Sequence, residues 1–164
     1  MIVAGVGCRK GASADDIGAV IGDALARAGV PATALDLIAA PELKRGERGI
    51  VVAAAALGVP LVLVPRAELE AAGARVQTRS ERVLEMTGVP SVAEAAALAA
   101  AGPQARLIVP RIAAGTATCA LAVAGERSWL CIRQFGGQTG DVLGAVEQLS
   151  EILILLVAAA YLNR

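Results

Sequence analysis

Ile2-Val3-Ala4-Gly5-Val6-Gly7-Cys8-Arg9-Lys10-Gly11-Ala12-Ser13 opens the chain and decides its fold class. Ile2 to Val6 is a short apolar run, the pattern of a buried strand. Gly5 to Gly11 reads as a polar, glycine-rich loop. Ser13 with Asp16 then forms a capping-box pattern. Beyond it Ile17, Val20, Ile21, Ala24, Leu25 and Ala28 recur at helical spacing, and Gly29 supplies the C-terminal stop. The stretch is therefore a strand–loop–helix unit.

The same grammar continues downstream. Ala34 to Ile38 reads as a second strand, Pro41 to Gly49 as a charged loop, and Ile50 to Leu57 as an Ala-rich helix ended by Gly58. Leu61 to Val64 is a strand stopped by Pro65, Arg66 to Ala72 a short helix, and Glu81 to Met86 a further helical turn after a connection over 74–80. Ser91 and Glu94 form a second capping-box pattern, opening a helix to Ala101 that Gly102 and Pro103 end. Ala105 to Val109 is a strand, and Thr116 to Val123 pairs with it through Ala113-Ala114-Gly115 as the turn. Strands alternating with helices imply a three-layer α/β/α fold with a mostly parallel sheet. An extra C-terminal helix follows.

Composition narrows the function classes. The 164 residues suit one modest core. Fifteen basic and fifteen acidic side chains cancel, so no net field attracts nucleic acid or an anionic membrane. Trp129, Phe135 and Tyr161 are the only aromatics, which leaves no base-stacking platform. Nucleic acid is therefore not an expected partner. The sequence has no histidine, which removes a His general base, a His-dependent triad and the commonest zinc ligand. No metal and no cofactor are expected. Cys8, Cys119 and Cys131 are odd in number and form no C-x-x-C, as in reduced cytosolic thiols. The N-terminus lacks the basic and apolar regions of a signal peptide, and a cytoplasmic location is expected.

The first loop carries the chemistry. Gly5, Gly7 and Gly11 let backbone amides point outward, and the helix that Ser13 opens offers its positive end to an anion. Arg9 and Lys10 add charged donors. These are the parts of an anion pocket at the carboxyl end of a strand, where open α/β sheets bind ligands. The alternative is a Gly-rich turn with solvated charges. The loop is neither G-x-G-x-x-G nor a phosphate-binding P-loop, because the Lys-Ser/Thr ending is missing. With no His to activate it, Cys8 is expected to pack beside the loop or line it.

The opening Gly-x-Gly-Cys-Arg-x-Gly-x-Ser resembles that of the CobE/CbiG C-terminal-domain family of cobalamin (vitamin B12) biosynthesis. Leu43-Lys44 with Glu47 and Gly49, and Leu57-Gly58-Val59-Pro60-Leu61, are similar to its middle. Gly88-Val89-Pro90-Ser91-Val92-Ala93-Glu94-Ala95-Ala96-Ala97-Leu98, then Leu107-Ile108-Val109-Pro110-Arg111 with Thr116 and Thr118, continue the resemblance in register to about residue 123. In that family the domain stands alone as CobE. It also forms the C-terminal part of CbiG, a cobalt-precorrin-5A hydrolase that opens a lactone and releases acetaldehyde. The chain begins at the C-terminal domain, so the resemblance implies a CobE-like protein. The expected partner is an anionic tetrapyrrole, a precorrin or corrinoid with a carboxylate rim, alongside other B12-pathway enzymes. The candidate ligand-binding residues are Gly5, Gly7, Cys8, Arg9, Lys10, Gly11, Ser13, Lys44, Arg111 and Thr116, with no catalytic residue assigned. Two rival readings are a CbiG-like lactone hydrolase and a generic phosphate- or anion-binding module.

Composition changes near Gly125, so residues 1–124 and 125–164 are expected to be separate units. Gly136-Gly137-Gln138-Thr139-Gly140-Asp141 and the segment to Glu151 resemble the C-terminal segment of cobalamin synthase (CobS), an integral membrane enzyme. The resemblance covers about residues 132–164, and Asp141 alone cannot hold metal and substrate for that reaction. The apolar run Ile152 to Leu162 is shorter than the roughly 20 residues a membrane helix needs. Extending it back to Val142 includes Glu147 and Glu151, at roughly 2.5–3.5 kcal/mol each near the bilayer centre by analogy with other charged residues. Weak membrane contact through this helix is the expectation.

Overall fold

A computed structural model of the chain describes residues 1–125. The expectations for the tail, including its apolar helix from about Asp141 to Leu162, lie outside the described residues. The described elements are β1 (Ile2–Cys8), α1 (Ala14–Ala28), β2 (Leu37–Pro41), α2 (Arg48–Leu57), β3 (Leu61–Val64), α3 (Arg66–Gly73), α4 (Glu81–Thr87), α5 (Val92–Ala101), β4 (Arg106–Ala114) and β5 (Ala117–Val123).

The strands form one sheet in the order β3-β2-β1-β5-β4. β1 pairs parallel with β2, and β2 with β3. β5 runs antiparallel to both β1 and β4, so four strands share one direction and β5 opposes them. Side chains alternate across the sheet and feed two cores. Ala4, Val6, Ile38, Cys119 and Leu121 pack with α1 and α2 on one face. Val3, Leu37, Ala39 and Ala122 pack with α3 and α5 on the other. This is the expected three-layer arrangement.

Several boundaries differ from the sequence reading, each for a physical reason. β1 runs on to Cys8, so Gly5 and Gly7 lie in the strand and the loop begins only at Arg9. β5 is the cause, because it pairs with β1 from Ile2↔Val123 to Cys8↔Ala117. β2 starts at Leu37, after a 3₁₀ turn at Ala32–Ala34. β4 continues through Pro110 to Ala114, with irregular register between Leu107 and Ile112. As an edge strand it tolerates a residue without an N–H. The β4–β5 turn is therefore Gly115-Thr116, with Gly115 at φ 55°.

The two capping boxes fare differently. The Ser13 hydroxyl accepts from the Asp16 amide at 3.0 Å, as a helix N-cap should. Ser91 is also an N-cap but makes no side-chain capping bond, and the Glu94 side chain, turned into the protein, does not complete the box. At the far end of α5, Arg75 Nη1 donates to the carbonyls of Gly102, Pro103 and Ala105 at 3.1–3.2 Å.

Candidate functional site

β1 is the switch point of the sheet. From it the chain winds outward through α1, β2, α2 and β3 on one side, then crosses to β4 on the other. A crevice outside the carboxyl end of such a strand is where open α/β sheets bind ligands. Here that end carries the loop Arg9–Ser13, flanked by the first turns of α1 and α2 on one face and of α5 on the other.

The loop is tied on three sides. The Arg9 amide donates to the Thr116 carbonyl at 2.9 Å, joining the loop to the β4–β5 turn. The Gly11 amide donates to Glu47 Oε2 at 2.9 Å, with Gly11 at φ 74°. Lys44 Nζ reaches the other Glu47 oxygen at 3.3 Å. The Gly11 hydrogen bond first, and Lys44 next, hold the Glu47 carboxyl below its usual range. Thr116 Oγ1 donates to Asp16 Oδ2 at 2.6 Å, which ties the turn to the start of α1. α2 fits closely because Gly49 has no side chain, as a Cβ there would collide with the Ala12 carbonyl.

This anchoring leaves the Arg9 and Lys10 side chains exposed, and neither forms an ion pair among the described residues. They are cations on a fixed backbone. Lys44 is engaged by Glu47, and the Thr116 hydroxyl by Asp16, so both build the site. Ser13 caps α1. Cys8 ends β1 on the α1/α2 face and is half-buried. Burial pushes its thiol up, against a smaller lowering by Lys44. Cys119, opposite Val6, is pushed up to about 12 by burial. Neither thiol is activated as a nucleophile.

The remaining candidates belong to the other face. A Cβ on Gly5 would collide with the Ala93 carbonyl and stand 2.8 Å from the Ala97 Cβ, so Gly5 lets α5 approach β1. Gly7 lies beside Thr118, whose hydroxyl donates to the Gly7 carbonyl at 3.1 Å. The Arg111 backbone amide donates to Glu94 Oε1 at 2.8 Å. Arg111 is thus at the α5 end of the crevice, across β1 from Lys44 and Cys8.

Glu94 is the residue that sequence reasoning misread. It is fully buried. Its carboxylate accepts from the Gln77 amide at 2.6 Å, the Thr78 amide at 3.0 Å, the Thr78 hydroxyl at 2.8 Å and the Arg111 amide. It locks the 77–78 connection and β4 onto α5. One signal was available: Glu94 is the only charged residue between Ser91 and Gly102.

Among the described residues no cluster of His, Cys, Asp or Glu could hold a metal ion, and no single helix is long and apolar enough to cross a membrane.

The chain is similar to proteins of cobalamin biosynthesis. Residues 2–122 match the family described as cobalamin synthesis G C-terminus. Protein CobE of Sinorhizobium sp is 40% identical over 121 residues, 74% of this chain and 79% of that protein. The crystal structure of CobE, a protein from the cobalamin (vitamin B12) biosynthetic pathway, superposes with a TM-score of 0.70 at 36% identity, covering 74% of this chain and 89% of that one. Cobalamin biosynthesis protein chiG from Agrobacterium tumefaciens gives a TM-score of 0.63 at 44% identity, covering 77% and 100%. A further similarity is short and local. Adenosylcobinamide-GDP ribazoletransferase of Bradyrhizobium diazoefficiens is 75% identical over 32 residues, 20% of this chain but 12% of that enzyme.

Proposed function

The chain belongs to the cobalamin synthesis G C-terminus family and is a CobE-like protein of cobalamin biosynthesis; from that premise we propose that it binds an anionic tetrapyrrole intermediate of the pathway at the carboxyl end of β1. The observation that carries this reading is the loop Arg9–Ser13. Its backbone is tied to Thr116 and Glu47, while Arg9 and Lys10 remain exposed. A precorrin or corrinoid has a rim of carboxylates, and cations on a fixed backbone meet such a rim without the cost of ordering the loop. Lactone opening by a thiol nucleophile draws no support from Cys8 or Cys119, whose thiols burial pushes up.

Titration with hydrogenobyrinic acid, followed by visible absorption, tests the proposal. Charge-assisted contacts to carboxylates contribute roughly 1.5–3 kcal/mol each. Arg9→Ala with Lys10→Ala should therefore weaken binding at least about tenfold, and added salt should weaken the native protein. Unchanged affinity in a folded double variant would refute the assignment.

A further inference from the structure

The first turn of α5 faces the crevice from the side opposite the Arg9–Ser13 loop, and it carries polar groups that the fold does not use. α5 is ten residues long, and its N-cap Ser91 makes no capping bond. Among the described residues no acceptor meets the amides of Val92, Ala93 or Glu94. Ser91 is 1% exposed, and its Oγ has no hydrogen-bond partner. Native proteins rarely leave a buried hydroxyl unsatisfied. One at the mouth of a helix N-terminus, where anions are favoured, marks a place for an incoming acceptor.

A second orphan is tied to the same turn. Arg111 Nε is buried and has no partner, and no described carboxylate comes within ion-pairing distance of the guanidinium. The Arg111 backbone is pinned to Glu94 in that same first turn. Val109 before it and Ile112 and Ala114 after it all pack into the α1/α2 core, and the register shift between Val109 and Ile112 takes Arg111 out of the strand's alternation. Glu94 keeps its charge, but its oxygens already accept four donors and none of them is the Arg111 guanidinium, so Arg111 Nε is left without an acceptor. Gly7 and Thr118 border this end of α5. A Cβ on Gly7 would stand 4.0 Å from the Ala93 nitrogen and 2.8 Å from Thr118 Oγ1; Gly7 and Thr118 are both partly open to solvent.

We propose that Arg111, Ser91 and the first-turn amides of α5 form a carboxylate-binding subsite. One ligand oxygen accepts from Arg111 Nε and the Ser91 hydroxyl, and the other faces the amides of Ala93 and Glu94. The proposal rests on the tetrapyrrole reading and deepens it. Arg9 and Lys10 hold one rim carboxylate and Arg111 holds another across β1, so a polycarboxylate spans both anchors while a small anion fills one.

Two titrations of the full chain test the subsite. In ¹⁵N-labelled protein, citrate should shift the Ala93 and Glu94 amides and the Arg111 Nε–H saturably. Arg111→Gln should abolish the amide shifts while keeping the rest of the spectrum, because its backbone bond to Glu94 is retained. With uroporphyrin, read by visible absorption, Arg111→Gln should weaken binding at least about tenfold, the scale of one charge-assisted hydrogen bond. Ser91→Ala should weaken it without lowering stability, since the native hydroxyl bonds to nothing in the fold. Uroporphyrin affinity unchanged by Arg111→Gln would overturn the subsite and leave the tetrapyrrole reading intact. Citrate shifts that are linear in concentration or confined to residues 9–13 would also overturn it. Saturable citrate binding at α5 without uroporphyrin binding would sustain the subsite and remove the tetrapyrrole reading.

Discussion

At the scale of single residues, Glu94 shows how a charge can serve as scaffold. Burying a carboxylate is costly unless its lone pairs are filled. Here four donors from two other segments fill them, and the N-terminal end of α5 adds a favourable field. The converse is that each donor depends on the carboxylate. Removing it strands three backbone amides and a hydroxyl, at roughly 1–3 kcal/mol for each that stays buried. Glu94→Ala should thus destabilise the protein by at least ~3 kcal/mol, measured by urea unfolding. Glu94→Gln, which keeps one acceptor oxygen, should cost less. A change within ~0.5 kcal/mol for the alanine variant, the range of an ordinary surface substitution, would show that the network does not hold the fold. Its isolation as the only charge between Ser91 and Gly102 marks Glu94 out locally but does not say what it binds. Ser91 three positions before Glu94 is the spacing of a cap, and only the distant partners Gln77, Thr78 and Arg111 reveal the other use.

At the scale of elements, the decisive contact is α5 on β1. α5 is nearly all alanine on its buried side, with Ala93, Ala95, Ala96, Ala97 and Ala101 enclosed. Small side chains let a helix axis come close, and Gly5 removes the last obstruction. A Cβ there meets a backbone carbonyl and the Ala97 nitrogen at 2.5 Å, neither of which can swing aside like the end of a side chain. Overpacking a core costs ~1–3 kcal/mol and sometimes more. Gly5→Ala should lie at or above the top of that range, and thermal unfolding should register it as a large fall in Tm. Gly18→Ala, in α1 with open space at its Cβ, is the control and should be neutral or stabilising. Equal effects of the two would discount the close approach. Element type was largely readable beforehand, since apolar periodicity and the glycine stops at Gly29 and Gly58 are local signals. The extent of β1 was not, because Gly7 and Cys8 become strand only by pairing with Thr118 and Ala117, more than a hundred residues away in the chain. The site divides in the same way. The exposed cations of the first loop stand out in sequence, whereas the sheet face that each candidate occupies follows from strand order alone.

At the scale of the whole molecule, the question is where the folding unit ends. β5 lies between β1 and β4 and is buried through most of its length, so no cut before Val123 can leave the sheet intact. Two contacts extend just past it. The Ala124 amide donates to the Met1 carbonyl at 3.0 Å, and Gly125 lies so close to Gln104 that a Cβ would stand 2.8 Å from the Gln104 Cβ. Among the described residues all four strand pairings and both apolar cores lie before that point. The family match also ends there, at residue 122. Residues 126–164 add the apolar run Ile152 to Leu162, and covering one Leu or Ile side chain is worth ~1.5–3 kcal/mol, so that run favours association when left in water. A chain ending at Gly125 should therefore unfold cooperatively in urea, stay monomeric at higher concentration than the full chain in sedimentation, and bind hydrogenobyrinic acid with the same affinity. If the shortened chain is unfolded while the full chain is folded, the tail belongs to the core. If it folds but loses the ligand, the tail belongs to the site.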